Sequence, residues 1–143
     1  MIVNRIGILS VGVLAAGLIF GGLRVHAADD QALYSAAQAK RGADLYQAKQ
    51  CAMCHGAKLD GGGAAPPLSG DNFISVYSSQ PLSALYDKVQ GQMPPMNPGS
   101  LSPAETSDLL AYILSANKYP AGDTELPADR DKLKSMQLAK PAN

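Results

Sequence analysis

The chain has 143 residues, with twelve Lys and Arg against twelve Asp and Glu, two His, two Cys and no Trp. That length fits one domain, and without a basic stripe nucleic acid is excluded as a partner. With only 6% aromatic residues the core is thin, so the fold needs apolar area from a further source.

Met1-Ile2-Val3-Asn4-Arg5 is a short cationic start, an apolar run covers residues 6–23, and Val25-His26-Ala27 supplies small residues where a signal peptidase reads. Residues 1–27 therefore read as a secretory signal peptide, cut after Ala27 or alternatively Ala28. The rival is an uncleaved membrane anchor, since 18 residues is the shortest run that spans a bilayer. Five glycines dilute that run, and the Ala site favours cleavage. Either way the remainder is expected outside the cytoplasm, in a bacterial periplasm. Residues 28–120 form the expected domain and residues 121–143 a polar tail. Twelve acids then face ten basic residues, a net charge of −2.

Residues 29–34 are polar and expected to be loose. Ala36, Ala37, Ala39, Ala43 and Leu45 predict a first helix over residues 35–49. Gly42, Leu45 and Tyr46 share one flank of it. Glycine inside a helix costs about 1 kcal/mol relative to Ala. Either a second helix crosses closely at Gly42, or the glycine is merely tolerated.

The helix leads into Cys51-Ala52-Met53-Cys54-His55. C-x-x-C-H is the attachment pattern of a c-type haem. Two thiols at this spacing can each add to one haem vinyl group, and the adjacent imidazole becomes the proximal iron ligand. A structural zinc site needs four protein ligands, and beyond this stretch only His26 is on offer. A thioredoxin-like redox pair needs a βαβ pattern, but the flanks are rich in Ala, Gly and Pro. A plain disulfide across so short a loop brings little closure benefit. One covalent haem c, held by Cys51 and Cys54 and ligated by His55, is the expected cofactor.

Residues 56–70 turn to Gly, Ala and Pro, which excludes regular structure and predicts a loop over one haem face. A ligating imidazole usually donates its other N–H to a carbonyl, and Pro66 and Pro67 are both suitable. A short helix containing Phe73, Ile74, Val76 and Tyr77 follows, capped by Asp71 or Asn72. The next helix has Pro81 near its first turn, Leu82, Leu85 and Val89 as its apolar stripe, and Gly91 as its expected C′ stop. Residues 92–101 form a second Pro-rich loop. Ser102-Pro103-Ala104-Glu105 is a capping box that opens the last main helix, whose apolar face holds Leu109, Leu110, Tyr112, Ile113 and Leu114. Asn117 fits its C′ position and Pro120 prevents continuation. A weak helix is expected near residues 128–136. All-α architecture results, with three main helices and Pro/Gly-rich loops around one haem.

Without His26, no second histidine is left for the iron. Met/His ligation is then the natural arrangement. Met53 lies on the His55 side and Met136 in the tail. That leaves Met93, the preferred sixth ligand, and Met96, the alternative. Pro94 and Pro95 stiffen their loop and lower the entropy cost of holding a sulfur on iron.

Together these residues resemble a class I c-type cytochrome over most of residues 36–117. The family pattern of Gly then aromatic in the first helix matches Gly42 and Tyr46. Its haem motif matches Cys51, Cys54 and His55. Its Pro-x-Leu-x-Gly element matches Pro66, Leu68 and Gly70, and implies that the Pro66 carbonyl receives the His55 N–H. Its Met-Pro pair matches Met93-Pro94. Its Leu-x-x-Tyr, which crosses the first helix at the glycine, matches Leu109 and Tyr112. The loop and the Pro-Ala-Gly tail also look like cytochromes found with periplasmic quinoprotein dehydrogenases.

The resemblance implies a one-electron carrier rather than an enzyme, passing electrons from a dehydrogenase to a respiratory acceptor. Other readings are a fixed haem subunit of a dehydrogenase and a haem enzyme or gas sensor with a labile sixth site. Membrane contact is expected only if residues 1–27 stay attached. Because the haem supplies area that the side chains lack, haem-free protein is expected to show no native-like cooperative melt by circular dichroism. A sharp haem-free transition would show that the side chains suffice.

Overall fold

Ser35 fixes where the first helix begins. Its hydroxyl accepts the Gln38 N–H at 3.1 Å, so Ser35 is the N-cap and α1 runs Ala36–Ala48. These residues belong to a computed structural model that describes residues 32–62 and 65–141. The expected leader, residues 1–27, lies outside the described residues, as does His26. Before α1, β1 (Tyr34–Ser35) pairs in parallel with β2 (Ala121–Gly122) in the one sheet of the described residues. Tyr34 is not loose: it is buried, and its hydroxyl donates to the Tyr119 carbonyl at 2.6 Å.

The remaining elements are α2 (Ala52–His55), α3 (Asp71–Tyr77), α4 (Leu82–Gln92), α5 (Pro103–Ala116) and α6 (Arg130–Leu133). The fold is thus all-α apart from that two-residue pairing. Among the described residues, no helix is long and apolar enough to cross a membrane.

α5 starts with the capping box: the Ser102 hydroxyl accepts from Glu105 N, and Glu105 accepts from Ser102 N at 2.8 Å. It packs across α1, and Gly42 is the point of closest approach. A Cβ there would lie 1.9 Å from the Asp108 carbonyl oxygen and 2.8 Å from Tyr112 Cβ. The glycine is required by backbone contact, not tolerated. Around it, Arg41 grips Asp108 with two N–H groups at 2.9 Å each and reaches Glu125 at 2.8 Å. Tyr46 meets the edge of Tyr112 with ring centroids 5.4 Å apart.

Three expected helix ends shift. α3 has Gly70 at its N-cap, with no side-chain cap, and Asp71 lies in its first turn. α4 does not stop at Gly91 but runs to Gln92. Gly91 has no positive φ. The stop is Pro94, which forces the preceding Met93 into extended backbone (φ −118°, ψ 145°). Asn117 ends α5 with φ −92°, as the C-cap, and the left-handed residue is Lys118 at φ 63°.

The segment after residue 120, expected as a polar tail, carries buried leucines, and its helix is shorter than expected. Leu126, Leu133 and Leu138 are all at most 2% exposed. Backbone bonds join Ser79 N to Leu138 O, Leu138 N to Gln80 O and Leu82 N to Met136 O. Arg130 forms a two-point pair with Asp87 on α4. Buried Gln38 accepts from Leu126 N at 2.7 Å and donates to Leu126 O at 3.0 Å, pinning the segment to α1. The apolar residues of this stretch are too widely spaced for a helical stripe, so their burial depends on partners far away in sequence.

Gly42→Ala should cost about 1–3 kcal/mol, the range for overpacking, read as a lower denaturation midpoint at unchanged slope. Gly91→Ala, where a Cβ meets nothing within 4 Å, should instead leave stability equal or raise it by up to about 1 kcal/mol.

Candidate cofactor site

The chain leaves α1 through Gln50, a left-handed residue at φ 57°, which turns it sharply into α2. Cys51 N–H bonds back to the Tyr46 carbonyl and His55 N–H to the Cys51 carbonyl, both at 3.0 Å. The single turn of α2 therefore sets Cys51, Cys54 and His55 along one edge of a cleft.

Leu68, Val89, Leu101, Leu109 and Ile113 give the cleft apolar walls, and Met93, Pro94 and Pro95 line it as well. Burial pushes the Cys51 thiol pKa up, which fits an apolar edge. Two thiols, an imidazole and a thioether converging on aliphatic walls suit an apolar, iron-bearing macrocycle.

The site is braced from outside. His55 Nδ1 sits 3.1 Å from the Pro66 carbonyl oxygen. A carbonyl only accepts, so Nδ1 carries the proton and Nε2 keeps the lone pair that a metal takes. Pro66 itself is exposed and does not line the cleft. Tyr46, whose phenol is pushed up to about 12 chiefly by burial, donates to the Gly56 carbonyl at 2.7 Å and holds the far end of α2. The loop after α2 is organised by Gly61 N–H to His55 O (2.9 Å) and Leu68 N–H to Leu59 O (2.8 Å).

Met96 is 94% exposed and Met53 78%, and neither lines the cleft. Of the two methionines considered for the iron, only Met93 lies at the cleft.

The sequence marked Val89 and Ile113 as apolar helix positions and Leu109 also as part of the helix crossing, none of them as site residues, and Leu101 was only the end of the Pro-rich loop. Helical spacing carried a signal: Val89 is four residues before Met93, and Ile113 four after Leu109. Asn117 was missed altogether in this role. Its amide donates to the Leu68 carbonyl at 2.9 Å and accepts from Gly70 N at 3.0 Å, tying the cleft-lining Leu68 to the end of α5.

The family described as cytochrome c oxidase, cbb3-type, subunit III, matches residues 37–113. A cytochrome c-553-like protein of Synechocystis sp. (strain ATCC 27184 / PCC 6803 / Kazusa) is 36% identical over 107 residues, which is 75% of this chain and 95% of that protein. No solved structure matches.

At the rim, Lys49 pairs with Glu105 at 2.8 Å. This ammonium, then the Ser102 backbone N–H, lower the Glu105 pKa from its ordinary 4.5 to about 2. A depressed folded-state value means stability that is full above the ordinary value and lost as pH falls toward 2. Glu105→Gln keeps a capping group but removes the charge. The stability difference from the parent should be constant above pH ~5, at most about 1 kcal/mol for so open a pair, and should fade as pH falls through about 2. Urea titrations across that range check it.

Proposed function

Because the chain belongs to the class I c-type cytochromes and carries haem c on Cys51 and Cys54, we propose that it is a one-electron carrier of the bacterial periplasm, with His55 and Met93 as the axial ligands. The haem supplies a one-electron Fe(III)/Fe(II) couple whose potential Met/His ligation raises. The carrying observation is the convergence of Cys51, Cys54, His55 and Met93 on one apolar cleft, together with the Pro66 carbonyl at His55 Nδ1.

Each residue then has one task. Pro66 fixes the His55 tautomer and ring orientation. Met93 would hold the remaining iron position and so keep substrates from it. The aliphatic walls exclude water. Pro94 and Pro95 hold the loop stiff, so little order is lost when the sulfur binds.

Arg41, Lys49 and Arg130 are each paired with carboxylates on the chain itself. Long-range steering of a partner is therefore modest, and encounters are brief, as at small redox interfaces. The donor is a dehydrogenase and the acceptor a respiratory oxidase or a second cytochrome. A second reading, a fixed haem subunit, is favoured by the matched family's description as an oxidase subunit. Co-purification with a catalytic chain would decide for it.

Ferric protein should show the long-wavelength absorption band of sulfur-ligated haem. Met93→Ala should abolish it and Met96→Ala preserve it. Ferrous parent protein should bind carbon monoxide slowly and Met93→Ala rapidly. Fast, complete binding by the parent would instead favour an enzyme or gas sensor.

A further inference from the structure

Gln90 is half-buried in the last turn of α4, next to Val89. Its amide acts entirely on the far end of the Met93 loop. Nε2 donates to the Leu101 carbonyl at 2.5 Å, and Oε1 accepts from Thr106 Oγ1 at 2.6 Å. The orientation is determined: the Leu101 carbonyl only accepts, so the oxygen must face Thr106. Thr106 is fully buried near the start of α5, with its hydroxyl also 3.0 Å from the Ser102 carbonyl.

At the near end, Met93 N–H bonds to the Val89 carbonyl at 3.1 Å. Between the two ends the loop has little to hold it. Residues 95–100 are exposed, and their internal ties are Asn97 N–H to Pro94 O and Ser100 N–H to Asn97 O. One side chain thus joins the helix that the loop leaves to the carbonyl where the loop returns. Both joined segments line the cleft, through Val89 and Leu101.

We propose that Gln90 is a positioning residue for Met93: by closing its loop across Leu101 and Thr106, it keeps the thioether at the cleft and sets how well that sulfur competes with outside ligands for the iron. The inference rests on Met93 as sixth ligand. An open loop samples more conformations, and an outside ligand gains apparent affinity with the fraction of molecules whose iron is free.

The test is an imidazole titration of the ferric holoprotein at neutral pH, followed by the shift of the main haem absorption band and, where Met93 is present, by loss of the sulfur–iron band. Gln90→Leu keeps the bulk and removes both hydrogen bonds. It should bind imidazole ~10-fold more tightly, with Thr106→Val shifted the same way and Thr106→Ser unchanged. In a Met93→Ala background, Gln90→Leu should add no further change, because its effect runs through the sulfur. If Gln90→Leu fails to accumulate as holoprotein, Thr106→Val decides alone.

Unchanged imidazole affinity in both variants, with only melting temperature lowered, overturns the proposal and leaves the ligand assignment standing. A parent protein without the sulfur–iron band overturns the ligand assignment itself.

Discussion

Gly42 and the carbonyl of Asp108 stand so close that no side-chain carbon fits between them. This crossing fixes α1 against α5, and the cofactor site follows from it. α1 delivers the cysteine turn at its C-terminal end, while α5 contributes Leu109 and Ile113 to the cleft wall. A wider spacing would move the thiols away from the wall they must face. Protein interiors resist such shifts, since packed elements change position in discrete steps.

Three carboxamides do for the loops what that crossing does for the helices. Asn117 ties the loop after α2 to the end of α5, Gln90 closes the loop after α4, and Gln38 fastens the C-terminal segment to α1. Each bonds backbone with one or both of its polar ends and joins segments that regular secondary structure leaves apart. Satisfied polar groups of this kind specify one arrangement, because leaving any of them unpaired in the interior is costly.

What could be read in advance was local. The capping box at Ser102, the helix signal ahead of Cys51 and the haem motif each sit within a few residues, and the fold class followed from them. Gly42 was legible because a glycine amid good helix formers is an anomaly that needs a reason. The misjudged points all depend on distant partners or on a neighbour's constraint. Gly91 looked like a stop, yet the force acts through Pro94 on Met93. Residues 121–141 looked polar, yet their leucines are spread singly and find their places against α1, α4 and α5. Gln90 gave no signal and Asn117 only that of a helix end, because an amide's usefulness as a tie depends on carbonyls that only the folded chain brings near.

The C-terminal segment bears on the cofactor site only from a distance. Leu126, Leu133 and Leu138 are sealed in the interior, yet none of them borders the cleft that holds Cys51 and Cys54. Gln38 and the Leu82 N–H take their backbone partners from this segment. Its loss would therefore loosen α1 and α4, and disturb the cysteine turn and the Val89 wall through those helices rather than by direct contact.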